Sequence, residues 1–428
     1  MEPLAAPPAP VFERSIHLLY VPTLCCNLSC SYCYLGKQTS EAALKRDAQQ
    51  AVHTLRHTLD ALRAAGVLAF NVSLHGGEVT TLPPDVLDAL FGMVRAHYRA
   101  HFDALGALGH RKSAPHIKTN LFKFAPLYEL FDRHKVSISA SIDLPLALHE
   151  RHRTTRGGTG WLPRTLENIR LLARYPHAKK ISATLSSEHL QDMQALVDDI
   201  WFIHRELGFD MNQFNLMFAF GSELNRAAKG EAVLTPATPE QQQRLYDTLH
   251  AAFLGTELEE GLRRHWFDEF TPGYCTNAAN CGERFYLLQS DGSVYSCVRG
   301  QGIPEFRYGN VFEQPILDIL DNGARQIRQI GAPGARLRQR LPGLRPPLHL
   351  PHRLPGGEAP EPQRPLLHLR PAKAHLRRRP AHLPRRPARR AARLRAAVPA
   401  GHAPRPGLCA TRATAHRAPP GTAQRPGR

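Results

Sequence analysis

Residues 15–78 read, without a break, SIHLLYVP, TLCCNLSCSYCYLGKQTS, EAALKRDAQQAVHTLRHTLDALRAAG and VLAFNVSLHGGE. The first and last pieces are short, apolar and rich in β-branched or aromatic residues, which predicts two strands. The long third piece repeats its apolar residues every three to four positions, which predicts an amphipathic helix. Strand, helix, strand makes a βαβ unit whose two strands run parallel. The pattern then recurs. HIKTN (116–120), KVSISASID (135–143), KKISATLSS (179–187) and NQFNLMFAFG (212–221) read as further strands, while residues 84–102 and 190–208 carry helical periodicity. Six such repeats up to about Gly221 predict an α/β fold with a partial parallel barrel. Its chemistry should collect at the C-terminal ends of the strands. Three chemically loaded stretches fall there: the cysteine loop 25–33, His75-Gly76-Gly77-Glu78, and Ser141-Ile142-Asp143.

The formal net charge of +18 is unevenly spread. Residues 331–428 hold 22 of the 55 basic and two of the 37 acidic residues, leaving 33 against 35 in the rest. That tail contains no Phe, Tyr, Trp, Ile, Met, Ser, Asn or Asp. Such a segment cannot bury enough apolar surface to offset its ordering entropy, so disorder is expected. Its arginines would attract phosphates, but it has no aromatics for stacking bases, so no specific nucleic acid is expected as partner. The start, MEPLAAPPAPVFERS, lacks the basic and apolar regions of a secretory signal. No run approaches the ~20 apolar residues of a membrane helix. The expectation is a cytoplasmic chain without a membrane partner, where close-set cysteines bind metal more readily than they pair.

The eight cysteines fall at 25, 26, 30 and 33, then 275, 281 and 297, with a last one at 409. A [4Fe–4S] cluster normally takes four thiolates. Three within one short loop leave an iron open to a chelating ligand. Zinc is the alternative, but zinc sites usually add a second cysteine pair or histidines, and no such pair lies nearby. The spacing Cys26-x3-Cys30-x-Tyr32-Cys33 resembles the hallmark of the radical S-adenosylmethionine superfamily. The resemblance implies that Cys26, Cys30 and Cys33 hold a [4Fe–4S] cluster whose open iron binds S-adenosylmethionine. Cys25 would leave a four-residue gap and is read as a packed bystander.

Gly76-Gly77-Glu78 is similar to that superfamily's Gly-Gly-Glu-Pro mark, with Val79 in place of proline. The resemblance implies that this edge holds the methionine amino group. SIDLPLALHERHRTTRGGTG (141–160) resembles a stretch of the members that carry a C-terminal SPASM extension. It implies that Ser141 and Arg153 hold the cofactor carboxylate, an anion suited to a hydroxyl and a guanidinium.

CTNAANCGERFYLLQSDGSVYSC (275–297), with the later Gly309-Asn310, resembles the first half of the SPASM pattern. It implies that Cys275, Cys281 and Cys297 ligate an auxiliary [4Fe–4S] cluster. The second half, C-x2-C-x5-C-x3-C, is absent. Leu341, Leu344, Leu350 and Leu354 have that spacing, and each can become cysteine in the shifted reading frame of a GC-rich gene. A frameshift between about Ile330 and Leu341 is therefore expected to have cut the module short. The layout follows: a flexible lead (1–14), the barrel (15–225), a bridge with half a module (226–330), and the tail (331–428). The resemblance implies an enzyme that reductively cleaves S-adenosylmethionine to a 5′-deoxyadenosyl radical and modifies a peptide or protein side chain. A reducing partner such as a flavodoxin or ferredoxin would supply the electron. Anaerobic sulfatase maturases are the nearest alternative, but they place an Asp directly after the hairpin cysteine. Here Val298 follows Cys297, which favours a ribosomal-peptide maturase.

Overall fold

The computed structural model describes residues 12–40, 44–229, 235–271, 274, 278 and 280–331. Cys275, Cys409 and the tail from 332 onward lie outside the described residues. The expectations of tail disorder and of a frameshift therefore fall outside them too.

All six predicted strands form: β1 (Arg14–Val21), β2 (Val67–Leu74), β3 (His116–Thr119), β4 (Ser137–Ile142), β5 (Lys179–Leu185) and β6 (Phe214–Phe218). They pair in parallel in chain order from β1 to β6. Helices α1 (Leu44–Ala64), α2 (Pro84–Ala100), α3 (Phe102–Ala107), α4 (Tyr128–His134), α5 (Leu146–His152), α6 (Leu162–Arg174) and α7 (Met193–Arg205) fall between them, and α8 (Glu223–Lys229) follows β6. The alternation that predicted the strands also sorts their faces. On β1, Ile16, Leu18 and Tyr20 are buried, whereas His17 and Leu19 between them are partly exposed. Burying each large apolar side chain contributes about 1.5–3 kcal/mol. Buried tyrosines then fix the layers with their hydroxyls. Tyr20 donates to the Ala51 carbonyl of α1 at 2.6 Å, and Tyr98 of α2 accepts from the Val72 amide at 2.7 Å.

The bridge forms α9 (Pro239–Phe253) and α10 (Glu259–Arg264). A capping box opens α9, with the Thr238 side chain on the Gln241 amide and Gln241 reaching back. The expected hairpin forms as β7 (Phe285–Gln289) and β8 (Ser293–Tyr295), followed by β9 (Arg307–Asn310) and α11 (Ile316–Gly331). β7 lies parallel to β1, from His17 opposite Phe285 to Val21 opposite Gln289. The cysteine-bearing module thus lengthens the barrel sheet to nine strands, in the order β6-β5-β4-β3-β2-β1-β7-β8-β9. Among the described residues the sheet has two open ends, β6 and β9, so the barrel is partial. Among the described residues no helix is long and apolar enough to cross a membrane.

Candidate cofactor and metal site

The cysteine loop leaves the C-terminal end of β1 and is held from three sides. On one side, the Gly77 amide donates to Thr23 O at 3.1 Å and the Glu78 amide to Cys25 O at 2.8 Å. Here glycine is required by space. A Cβ on Gly76, which has φ +145°, would sit 2.3 Å from Thr23 O, and one on Gly77 would sit 2.3 Å from Leu24 O. The Gly-Gly edge and the cysteine loop therefore touch backbone to backbone. Val79, in the place expected for proline, is fully buried and opens a short 3-10 turn.

On the second side, the segment after α5 forms a strip along the loop. The Ser29 amide donates to Thr154 O and the Ser31 amide to His152 O, both at 2.8 Å. The Arg156 Nε donates to Cys26 O at 2.6 Å. On the third side, the Asn225 side chain of α8 donates to Ser31 O and Cys33 O, each at 3.0 Å. Ser222 Oγ donates to Tyr34 O at 2.6 Å.

The charges at this mouth are buried and specifically paired. Asp143, fully buried at the end of β4, accepts from the Tyr32 hydroxyl. It also accepts from Arg153 Nε at 3.1 Å. The Arg153 guanidinium lies 5.6 Å from the Tyr32 ring centre. Burial pushes the Asp143 carboxyl up, but Arg153 with His149 and His189 outweighs it and holds it below the usual range. Glu78 is also buried, and its carboxylate takes four donors. Thr80 N (3.2 Å), Thr80 Oγ1 (2.6 Å) and Thr119 Oγ1 (2.7 Å) reach Oε1, and Asn120 N (2.7 Å) reaches Oε2. Burial nevertheless raises its pKa. Burial and the Glu78 charge raise the Cys26 thiol in turn.

These residues suit a cluster and its chelating ligand. None of Cys26, Cys30 and Cys33 is in a disulfide. Cys26 lies in the field of the other two. Among the described residues, no three His, Cys, Asp or Glu side chains converge as they would on a single ion, but an iron–sulfur cube holds its thiolates further apart than one ion does. Buried polar atoms without hydrogen-bond partners lie on the loop and beside it: Asn27 Nδ2, Asp143 Oδ2 and His189 Nε2.

No family model matches the chain. A curated relative is the antilisterial bacteriocin subtilosin biosynthesis protein AlbA of Bacillus subtilis, 23% identical over 319 residues. The match covers 73% of this chain and 60% of that protein's length. Among solved structures, native anSMEcpe with bound AdoMet has a TM-score of 0.54 at 15% identity, covering 73% of this chain and 83% of that one. Streptococcus suis SuiB bound to its precursor peptide SuiA has a TM-score of 0.50 at 17% identity, covering 76% and 69%. The shared fold is that of a partial radical S-adenosylmethionine barrel.

In this radical S-adenosylmethionine fold, Ser141 lies near the end of β4, opposite Ser182 of β5. Arg153 is only 7% exposed and is engaged with Asp143. The sequence reading of Arg153 as a cofactor ligand missed this partner. It also missed Tyr32 as the donor that joins the cysteine loop to β4.

Of the second cysteine group, Cys281 and Cys297 fall among the described residues. Cys281 opens a 3-10 turn and Cys297 follows β8. The buried Tyr308 hydroxyl feels the charge of both. Tyr34, just after Cys33, is raised by burial and then by Cys33, Cys297 and Cys26. One tyrosine thus lies in the field of both cysteine groups. Cys25, half-buried, takes part through its carbonyl alone in the contact with Glu78.

Proposed function

We propose that this chain is a peptide or protein maturase that cleaves S-adenosylmethionine reductively and uses the resulting radical on a substrate side chain. The observation that carries this reading is the lock between the cysteine loop and Gly76-Gly77, which holds three cysteines outside any disulfide on one loop beside the buried Asn27 Nδ2 and Asp143 Oδ2. When bound at Cys26, Cys30 and Cys33, a [4Fe–4S] cluster supplies the electron that breaks the S-adenosylmethionine carbon–sulfur bond. The protein's own part is orientation. Gly76 and Gly77 let a ligand approach the backbone, and Glu78, gripped by four donors, holds that edge on β3. Ser141 and Arg153 are proposed to steady the cofactor carboxylate, with Asp143 fixing the guanidinium. A flavodoxin- or ferredoxin-type protein is the proposed electron donor.

The likeness to SuiB bound to its precursor peptide supports a peptide substrate, and the likeness to anSMEcpe bound to AdoMet supports the cofactor. The curated relative's name places it in bacteriocin biosynthesis. Val298 after Cys297 favours peptide maturation over the sulfatase-maturase alternative. Cys281 and Cys297, with Cys275, are proposed to hold an auxiliary cluster. Resequencing the gene around Ile330–Leu341 tests whether its second half was lost. The central reading is tested by anaerobic reconstitution with iron and sulfide, then an assay for 5′-deoxyadenosine. Cluster absorption with product formation is expected, and the absence of both would overturn it.

A further inference from the structure

The second cysteine group contains a buried donor with nothing to donate to. Tyr308 of β9 is only 1% exposed, and its hydroxyl has no hydrogen-bond partner. Leaving such a group unpaired is costly, and folds rarely keep one without an acceptor to meet it. A bulge sets the aim of this side chain. Val294 of β8 pairs with Gly309 and Tyr295 with Arg307, which leaves Tyr308 as the extra residue on β9. Bulges of this kind turn a side chain out of the regular alternation.

Close packing then fixes the ring. A Cβ on Gly323 of α11 would lie 2.7 Å from two of its carbons. The Tyr286 ring meets it edge-on at 5.9 Å, and the Asn322 side chain donates to the Tyr308 carbonyl at 2.6 Å. The same Gly323 receives the turn that carries Cys281, since a Cβ on Gly282 would lie 2.4 Å from Gly323 O. On the other side is the end of β8. Ser296 also reaches toward the Tyr308 hydroxyl, but its own hydroxyl is turned to Cys297 Sγ, 4.0 Å away. Tyr308 thus stands between the turn of Cys281 and the strand end of Cys297. Burial, then the charges of Cys281 and Cys297, raise its pKa, so the phenol keeps its proton and acts as a donor. Such a donor suits the group proposed for Cys281 and Cys297, whose sulfurs carry negative charge and accept hydrogen bonds.

We propose that Tyr308 donates its hydroxyl to a sulfur of the auxiliary iron–sulfur cluster and thereby raises that cluster's reduction potential. The proposal rests on the auxiliary-cluster reading above and names the residue that tunes it. A hydrogen bond to sulfur favours the reduced form, which carries one more negative charge, over the oxidised one.

The test uses the full chain, reconstituted anaerobically with iron and sulfide, titrated electrochemically and read by electron paramagnetic resonance. The signal that Cys297→Ala removes belongs to the second group. Tyr308→Phe keeps the ring against Gly323 and removes only the hydroxyl. We expect the midpoint of that signal to fall by about 59 mV, tenfold in the ratio of reduced to oxidised cluster, with the remaining signal unmoved. A 3-fluorotyrosine placed at position 308 makes the hydroxyl a stronger donor and should move the midpoint the opposite way. Should Tyr308→Phe fail to hold iron, the fluorotyrosine shift decides alone. An unchanged midpoint, or both replacements moving it in the same direction, would overturn the proposal and leave the auxiliary site standing. No signal dependent on Cys297, or zinc in place of iron, would overturn the site and the proposal together.

Discussion

The two cysteine groups are supported differently. The first, Cys26 to Cys33, is clamped by backbone hydrogen bonds from the ends of β1 and β2 and from the strip after α5, and by the Asn225 side chain of α8. The second, represented by Cys281 and Cys297, rests on a hairpin and on one helix. A Cβ on Gly282 would meet Gly323 O of α11 at 2.4 Å, and Asn280 donates to Ala324 O of the same helix at 3.0 Å. The first site is part of the barrel's own architecture. The second depends on α11. Cofactor chemistry at the first site should therefore survive damage to the second, while the reverse dependence is the one to expect.

The sharpest way to break this comparison is to remove one thiol from each group. Cys26→Ala should reduce 5′-deoxyadenosine formation to background, because the neighbouring Cys25 would leave a four-residue gap before Cys30. Cys297→Ala should lose part of the bound iron, read by metal analysis, yet retain cofactor cleavage. If Cys297→Ala abolishes cleavage as completely as Cys26→Ala, the two sites are not separable in this way.

The next effect is on stability and belongs to the first site alone. Arg153→Met leaves the Asp143 carboxylate buried and unpaired, which costs about 3–5 kcal/mol. The sign of its pH dependence follows from burial. In the wild type, Arg153 and its neighbours depress the Asp143 pKa, so that stabilisation is present above the unfolded carboxylate value of about 3.9 and is lost only as pH falls through the folded value. Without Arg153, burial alone raises the folded pKa, so the deficit is largest near neutrality and shrinks as Asp143 takes a proton. Melting temperatures of both proteins from pH 8 down to 5 should therefore converge. Curves that stay parallel would show that Asp143 is not the unpaired charge.

Gly77→Ala tests the backbone lock. The added methyl would lie 2.3 Å from Leu24 O and 2.5 Å from Cys25 O. Such overpacking costs about 1–3 kcal/mol. The matching substitution Gly282→Ala should destabilise by a similar amount through α11. Only Gly77→Ala should also weaken S-adenosylmethionine binding, measured by calorimetry on the reconstituted protein.

How much of this could be read from the sequence depends on the range over which each feature is encoded. Strand alternation and the Cys26-x3-Cys30-x2-Cys33 spacing are local, so all six barrel strands and the cysteine loop were legible. The hairpin was legible too, because Gly292 adopts φ +83° between β7 and β8 where few other residues would. The parallel pairing of β7 with β1 was not, since it joins residues far apart in the chain. The contact of Arg153 with Asp143 was not legible, because only the fold creates it. Tyr308 looked like an ordinary strand residue. Its aim depends on the bulge in β9, and no local pattern encodes that.

The smallest effect comes from the residue that joins the two regions. Asp47 of α1 is buried at 3% exposure, and one carboxylate oxygen accepts from Thr23 Oγ1 at 2.8 Å and from the Leu24 amide at 3.4 Å. Its other oxygen accepts from Ser290 Oγ, in the β7–β8 turn, at 3.1 Å. Three donors from two modules thus converge on one carboxylate, and Asp47→Asn replaces one acceptor with a donor. Whichever way the amide turns, one module keeps its bond and the other faces an NH2 group. A single hydrogen bond of this kind contributes about 0.5–3 kcal/mol, the upper values applying to charged groups, so a modest fall in melting temperature is expected. If the supports are as unequal as the structure indicates, the amide should keep its oxygen toward Thr23 and Leu24. Hydrogen exchange would then quicken around Ser290 while the cysteine loop stays protected. Faster exchange in the cysteine loop instead would mean that the first site leans on the second after all.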